Sequence, residues 1–164
     1  MDLSIIICTR NRGTRLCGTL GALRALRTSH RYEIIWVDNA STDDTARVLK
    51  DELASDPASR LIRCERIGLG AARNEGWKAS RGKIVAFTDD DCYPSPDYVD
   101  AWIAAFSEYP DVGAMGGASC STTGNMRELP SKRDKSRECS RNAPSCGPAC
   151  CKAPMLPFGE RPLN

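Results

Sequence analysis

Residues 84–91 read IVAFTDDD, an apolar run that ends in three consecutive aspartates, Asp89, Asp90 and Asp91. The apolar run predicts a buried strand. Three adjacent anions repel one another, so a folded chain keeps them together only in solvent or beside a cation. At the carboxyl end of a parallel strand they would face the crevice in which open α/β sheets bind ligands. Taken alone, the triplet also fits a solvated acidic turn, helped by Pro94 and Pro96.

Further apolar runs, each separated from the next by a helical pattern, flank this stretch. Strands are predicted at Leu3–Cys8, Ile34–Val37, Leu61–Cys64, Lys83–Phe87 and Val112–Met115. Predicted helix starts are Thr14 as an N-cap, a capping box at Ser41 and Asp44, the turn Gly68-Leu69-Gly70, and Ser95-Pro96. The order βαβαβαβαβ is typical of a doubly wound, mainly parallel α/β sheet.

The 164 residues suit one domain with a tail of different composition. Residues 1–117 hold 15 Lys and Arg and 17 Asp and Glu, a net charge of −2, whereas residues 118–164 hold 8 and 4, a net charge of +4. The second segment lacks Val, Ile, Trp and Tyr but has six of the ten Pro and five of the nine Cys. Such a segment buries too little apolar area to offset its ordering entropy. We predict a folded domain over 1–117 and a disordered tail over 118–164, which looks like coding sequence translated out of frame.

The formal net charge of +2 gives no reason to expect nucleic acid or an anionic membrane as a partner. No run approaches the roughly 18 apolar residues of a membrane span, and the N-terminus does not have the pattern of a signal peptide. We therefore expect a cytoplasmic protein with reduced thiols. Cys8, Cys17, Cys64 and Cys92 are expected to be small core or near-core residues, and His30 to be an exposed loop residue.

Polar side chains follow each of the first four predicted strands. Because the carboxyl ends of parallel strands are neighbours, these side chains should converge at one edge of the sheet. They offer hydroxyl, guanidinium, amide and carboxylate groups, which suit a nucleotide diphosphate with Mg²⁺ or Mn²⁺. Each also fits a simpler role, such as a solvated loop, a capping turn or a weak surface ion pair. In chain order they are Thr9, Arg10, Asn11, Arg12, Asp38, Asn39, Arg73, Asp89, Asp90 and Asp91.

The stretches SIIICTRNR, IIWVDNASTDDT and GLGAARNEGWKASRGKIVAFTDDDCYPSPDYV resemble the nucleotide-binding half of an inverting family 2 glycosyltransferase with the GT-A fold. The resemblance covers roughly residues 3–117. It implies a nucleotide-sugar donor, with a UDP-sugar expected, and a glycan, lipid or small-molecule acceptor that stays unidentified. It also implies direct displacement at the anomeric carbon by an acceptor hydroxyl.

The resemblance assigns roles to the residues at the strand ends. It places Thr9 and Arg10 near the nucleoside, Asp38 at the base, Arg73 by the diphosphate and Asp89 at the ribose. Asn11, Arg12 and Asn39 lie in the same turns and are predicted to bind the nucleotide sugar with them. Asp90 or Asp91 would bind Mn²⁺ or Mg²⁺, and three aspartates leave two registers of the family's D-x-D pattern open.

The general base that takes the acceptor's proton is not identified. In the family it is a carboxylate in the acceptor-binding half, downstream of the D-x-D pattern. The downstream acids here, Glu128, Asp134, Glu138 and Glu160, do not lie in recognisable family sequence. The chain is therefore expected to hold a donor and to be a poor or inactive transferase.

Three other interpretations fit parts of the sequence. Gly68-Leu69-Gly70 resembles the start of a dinucleotide fingerprint, but Arg73 takes the place of its third glycine and the motif follows the third strand rather than the first. Cys139, Cys146, Cys150 and Cys151 could bind zinc as part of an interaction protein, although they contain no C-x-x-C pair. A non-catalytic nucleotide-binding remnant of the family is the third.

Overall fold

A computed structural model describes residues 1–117, in which four strands form one parallel sheet. The strand order is β3-β2-β1-β4, so β1 and β2 are central. Leu3 at the start of β1 pairs with Tyr32 of β2 on one side and with Ile84 of β4 on the other. The strands are β1 (Leu3–Thr9), β2 (Tyr32–Asp38), β3 (Ser59–Arg63) and β4 (Ile84–Asp89).

Helices connect the parallel strands, as crossover connections require. A 3₁₀ helix, Gly13–Leu16, leads directly into the first α-helix. The helices are α1 (Cys17–Arg24), α2 (Thr45–Leu53), α3 (Leu69–Ala79) and α4 (Tyr98–Glu108). In the part of the chain that the structure describes, no helix has the length and apolar character needed to cross a membrane.

Side chains of the sheet alternate between two apolar cores, one on each face. On one face Ile5, Ile7 and Trp36 pack with buried residues of α1, α2 and α4, including Leu20, Leu49 and Val99. On the other face a smaller cluster joins Ile6, Ile35, Val37 and Phe87 to Ala72 of α3. The predicted doubly wound α/β architecture, with helices on both faces of a parallel sheet, is confirmed.

Helix α3 lies close to the sheet because it carries a glycine at the contact. A Cβ added at Gly76 would lie 2.5 Å from Cγ2 of Ile6 and 3.1 Å from Cγ2 of Val37. The opening glycine of the same helix region, Gly70, has no atom within 4 Å of such a Cβ. The two glycines of α3 are therefore not equivalent, since only Gly76 sets the helix-to-sheet distance.

A buried polar network closes the opposite, amino-terminal edge of the sheet. The carboxylate of Glu33, 6% exposed, accepts hydrogen bonds from Ser4 Oγ at 2.7 Å and from the Arg81 N–H at 2.7 Å. Arg60 adds an ion pair through Nε at 3.1 Å. Burial raises the pKa of Glu33, but the hydrogen bonds from Ser4 and Arg81 and the charge of Arg60 outweigh it and hold the pKa below its usual value.

The predicted fifth strand is wrong. Residues 112–115 form a bend and irregular chain, and Val112 is 40% exposed. A strand requires a paired neighbour, and within residues 1–117 β4 pairs only with β1. Met115 instead packs against the larger apolar core, so the apolar run is explained by contact with the core rather than by sheet pairing.

The predicted helix starts also need correction. Helix α2 begins at Thr45 after Asp44, and Ser41 serves the preceding loop rather than a capping box. No side chain caps α1, which follows the 3₁₀ helix that contains Thr14. Ser95 and Pro96 precede α4, whose N-cap residue is Asp97.

The cysteines of residues 1–117 and His30 lie where they were predicted, with one exception. Cys64 and Cys92 are buried and Cys8 is half-buried, as expected, but Cys17 is exposed on the first turn of α1. His30 is exposed, as predicted. The predicted disorder of 118–164 and the zinc interpretation of its cysteines lie outside the described residues.

Candidate functional site

A cleft of about 480 Å³ opens at the carboxyl edge of the sheet. The loops that follow all four strands contribute to its wall, as expected for an open parallel sheet. Arginine and aspartate side chains share this wall with a short apolar segment. The lining residues are Cys8, Thr9, Arg10, Arg12, Asn39, Ile67, Gly68, Leu69, Ala72, Asp89, Asp90 and Asp91.

Sharp backbone turns shape the loops around this cleft. Asn11 and Ala40 have positive φ values of 53° and 52°, and Gly68 has a φ of 135°. These three residues follow β1, β2 and β3 respectively. Residues in this region of φ are uncommon unless they are glycine, and they concentrate where the surrounding structure fixes a functional loop.

The loop after β1 is fixed to the loop after β2. The N–H of Asn11 donates to Ser41 Oγ at 3.0 Å, and Asn11 Oδ1 accepts from the N–H of Thr42 at 2.8 Å. Thr45 Oγ1 accepts from the N–H groups of both Arg12 and Gly13, at 2.9 and 2.8 Å. The Asn11 side chain is therefore used to join two loops and does not line the cleft.

The three aspartates of residues 89–91 differ in environment. Asp90 is buried, and its carboxylate accepts a hydrogen bond from Thr9 Oγ1 at 2.6 Å. Its backbone carbonyl accepts another from Thr19 Oγ1 at 2.7 Å. The side chains of Asp89 and Asp91 are 58% and 65% exposed. This alternation leaves the first and third carboxylates accessible at the cleft.

Two arginines lie against these carboxylates. Arg12 places Nε 3.2 Å from Asp90 Oδ1 and Nη2 3.4 Å from Asp91 Oδ2. Arg73 places Nη2 3.4 Å from Asp89 Oδ1, and its guanidinium lies 5.9 Å from the centroid of the Phe87 ring. The ion pairs with the exposed carboxylates of Asp89 and Asp91 contribute little to stability. Their significance is that both cations stand beside the cleft.

Asp38 and Asn39, at the end of β2, are committed to contacts within the protein. Asp38 is 1% exposed, accepts from the Ser41 N–H at 3.1 Å and pairs with Arg63 Nη1 at 3.0 Å. Asn39 donates to the carbonyl of Arg66 at 2.7 Å and accepts from the Gly68 N–H at 2.8 Å. Asn39 thus holds the loop after β3 in position, with Gly68 at the cleft wall.

Cys8 lies in the cleft wall but remains a neutral thiol. Burial, more than the nearby Asp89 and Asp90 carboxylates, raises its pKa to about 12, although the Arg73 charge opposes the shift. A thiol with this pKa is a poor nucleophile at neutral pH. Cys8 is therefore a residue of the cleft wall rather than a candidate nucleophile at neutral pH.

Seven of the ten predicted site residues line the cleft: Thr9, Arg10, Arg12, Asn39, Asp89, Asp90 and Asp91. Asn11, Asp38 and Arg73 lie in the same loops or in α3 but are not among the lining residues. Sequence reasoning missed Arg63 as the partner of Asp38, and Thr19 as a partner of Asp90. No local sequence pattern indicates either contact, because both join residues that are distant in sequence.

A comparison with protein families decides where the chain belongs. The family model described as "Glycosyl transferase family 2" matches residues 4–151, most of the chain. The chain belongs to glycosyl transferase family 2. The match runs beyond residue 117, into the segment of unusual composition, so the domain boundary at 117 stays a prediction.

Relatives in family 2 are longer than this chain. It is 31% identical over 110 residues to EpsH of Bacillus subtilis, covering 67% of this chain and 32% of EpsH. It is 33% identical over 107 residues to the glycosyltransferase AglE of Haloferax volcanii, covering 64% and 35%. The chain thus spans about a third of the length of these curated relatives.

Two solved structures with bound nucleotide sugars share the fold. The mannosyltransferase PcManGT from Pyrobaculum calidifontis, in complex with GDP-Man and Mn²⁺, aligns with a TM-score of 0.61 and 28% identity over 69% of this chain and 34% of that chain. S. aureus TarS 1-349 in complex with UDP-GlcNAc aligns with a TM-score of 0.68 and 23% identity over 80% and 37%. The sheet and helices described above are therefore those of a GT-A fold.

The cleft of this family 2 chain fits a divalent cation held jointly with a ligand. Within residues 1–117, no group of three or more His, Cys, Asp and Glu side chains is placed to hold a metal ion. Mg²⁺ sites that include a bound diphosphate commonly use one or two protein carboxylates, with phosphate oxygens and water as the other ligands. The exposed carboxylates of Asp89 and Asp91 meet that requirement.

Proposed function

We propose that this chain forms the donor-binding part of a glycosyltransferase that takes a sugar from a nucleoside diphosphate sugar. The carrying observation is the cleft, whose lining residues include Arg12 beside the exposed carboxylate of Asp91. Guanidinium groups suit the diphosphate, and hard carboxylate oxygens suit the cation that accompanies it. Membership of family 2 and the GDP-Man complex of PcManGT support a nucleotide-sugar donor.

A UDP-sugar is our proposed donor, with Mn²⁺ or Mg²⁺ as the cation. The TarS complex shows UDP-GlcNAc on the same fold, whereas PcManGT holds GDP-Man, so UDP and GDP both need testing. The proposed roles follow the family resemblance, with Thr9 and Arg10 near the nucleoside and Asp38 at the base. Asp38 is buried against Arg63, so base binding there requires that this ion pair rearrange.

The exposure of the acidic triplet favours one register of the D-x-D pattern. Asp91 is exposed and is the better candidate for the metal ligand, whereas Asp90 is occupied by Thr9 and Arg12. Asp89 would then meet the ribose. When bound, a divalent cation would neutralise charge that develops on the leaving diphosphate. Arg12 and Arg73 would orient the diphosphate through charged hydrogen bonds.

We further propose that the reaction proceeds with inversion and that this chain alone is a slow or inactive transferase. Inversion by direct displacement requires a base for the acceptor hydroxyl, and we assign that role to no residue within 1–117. Loss of a positioned base typically costs 10²–10⁴-fold in rate. We also propose a cytoplasmic location and a glycan, lipid or small-molecule acceptor.

Titration calorimetry with UDP and with GDP, each with and without Mn²⁺, tests the proposed function. UDP should bind, and Mn²⁺ should tighten the binding. Asp91→Asn should remove most of the metal effect, because an amide oxygen is a weaker cation ligand than a carboxylate. Binding of neither nucleotide by folded wild-type protein would exclude the proposal. Turnover of UDP-sugars at about 1 s⁻¹ or faster would show that a working base is present.

A further inference from the structure

We infer that Arg12 acts as a built-in cation that competes with the divalent metal for Asp91 and transfers to the donor diphosphate when the metal binds. The guanidinium would thereby couple metal binding to diphosphate binding. This inference rests on the proposed function, since it uses the same cleft and the same donor chemistry. In this mechanism, binding of either the metal or the diphosphate increases the affinity of the cleft for the other.

One guanidinium bridges two carboxylates that are held very differently. Arg12 Nε lies 3.2 Å from Asp90 Oδ1, and Nη2 lies 3.4 Å from Asp91 Oδ2. Asp90 is 9% exposed and is also fixed by Thr9 Oγ1 at 2.6 Å. Asp91 is 65% exposed, and within residues 1–117 Arg12 is the only side-chain partner that its carboxylate has. The contact to Asp91 is therefore the one that can break at small cost.

The main chain of Arg12 is anchored while its side chain is not. The N–H groups of Arg12 and Gly13 both donate to Thr45 Oγ1, at 2.9 and 2.8 Å. The Arg12 side chain is 36% exposed and lines the cleft. A rotation about its side-chain bonds can thus move the guanidinium without moving the loop. Its planar fork can then form two parallel hydrogen bonds with a phosphate group.

Competition for Asp91 predicts how the two ligands influence each other. A divalent cation that binds alone must displace Arg12 from Asp91 and leaves the guanidinium without that partner. A cation that binds with a diphosphate supplies a new anion for Arg12. Metal and diphosphate should therefore bind with positive coupling beyond their direct contact, and the coupling factor must be the same in both directions.

Binding of Mn²⁺ without nucleotide, measured by electron paramagnetic resonance of free Mn²⁺, is the decisive experiment. Arg12→Gln removes the competitor and should bind Mn²⁺ alone about 2- to 5-fold more tightly than wild type, a range set by the modest strength of an exposed ion pair. Arg15→Gln is the matched control. Arg15 is exposed in the 3₁₀ helix that follows Arg12, three residues further along the chain, so this variant has the same net charge and should change Mn²⁺ binding less than about 2-fold.

Nucleotide binding should show the opposite effect of the Arg12 substitution, because the lost guanidinium would have contacted the diphosphate. In saturating Mn²⁺, Arg12→Gln should bind UDP more weakly than wild type, so the factor by which UDP tightens Mn²⁺ binding should shrink. Arg12→Lys keeps the charge but presents it as a compact ammonium rather than a planar fork, and its affinities should fall between those of wild type and Arg12→Gln. Circular dichroism of each variant establishes that the comparison is made between folded proteins.

Equal Mn²⁺ affinity in wild type and Arg12→Gln, weaker affinity in the variant, or undetectable binding in both would overturn the inference. An equal gain in Arg15→Gln would also overturn it, because the effect would then come from net charge alone. The proposed function fails separately, if wild-type protein does not bind UDP or GDP. Mn²⁺ binding without nucleotide still reports on Arg12 in that case.

Discussion

At the scale of single residues, the acidic triplet combines a structural carboxylate with two accessible ones. Asp90 is buried and accepts from Thr9 Oγ1, whereas Asp91 is mostly exposed. Asp90→Ala leaves the Thr9 hydroxyl without its buried partner and should lower the free energy of unfolding by about 1–3 kcal/mol. Asp91→Ala should change it by less than about 0.5 kcal/mol. Urea denaturation of both variants measures the difference.

The two variants control for each other, because they remove the same group from adjacent positions. Similar destabilisation by Asp90→Ala and Asp91→Ala would contradict the assignment of Asp90 to the interior. Nucleotide binding should respond in the reverse order, with the larger loss of Mn²⁺ dependence in Asp91→Ala. We therefore predict that Asp90 mainly affects stability and that its neighbour Asp91 mainly affects ligand binding.

At the scale of elements, helix α3 is the one whose position depends on a single residue. Gly76→Ala would bring its Cβ to 2.5 Å from Ile6 Cγ2, so the helix must shift away from the sheet. We expect a loss of about 1–3 kcal/mol in the free energy of unfolding, the usual cost of overpacking a core. Urea denaturation measures this loss. A shift of α3 would also move Ala72 in the cleft wall and Arg73 beside the cleft.

Gly70→Ala is the control within the same helix. No atom lies within 4 Å of a Cβ at Gly70, and alanine favours the helical conformation over glycine. This variant should be neutral or stabilising by up to about 1 kcal/mol. If both variants destabilise the protein equally, the close approach at Gly76 does not determine the position of α3.

At the scale of the whole molecule, Glu33 makes stability depend on pH. Its pKa is lowered in the folded chain, because hydrogen bonds from Ser4 and Arg81 and the Arg60 charge outweigh the effect of burial. The resulting stabilisation is present above the unfolded pKa of about 4.3 and is lost as the pH falls through the lower folded pKa. Glu33→Gln should therefore cost about 1–3 kcal/mol at pH 7 and less at acidic pH.

Denaturation by urea at pH 7 and at about pH 3 measures this difference. Glu75→Gln is the control, since Glu75 forms an exposed ion pair with Lys78 on α3 at 3.1 Å and should matter little at either pH. A Glu33→Gln variant whose destabilisation stays constant between the two pH values would contradict the pKa argument.

The sequence by itself determined the four strands of the sheet, their parallel arrangement and the edge at which polar groups lie together. Apolar runs such as Leu3–Thr9 are long and uniform, and their alternation with helical patterns allows few topologies. The position of the residues at the strand ends is then determined as well, because the carboxyl ends of parallel strands meet at one edge. This is why the sequence predicts that Thr9, Arg12 and Asp89 lie near one another.

Only the tertiary structure decided which of these groups have accessible side chains and which are held by partners within the protein. The burial of Asp90, the pairing of Asp38 with Arg63 and the bridging of two loops by Asn11 depend on partners distant in sequence. The segment at Val112 had the composition of a strand, but a strand also needs a neighbour with free backbone groups. Local pattern specifies what a segment can form, whereas its contacts determine what it does form.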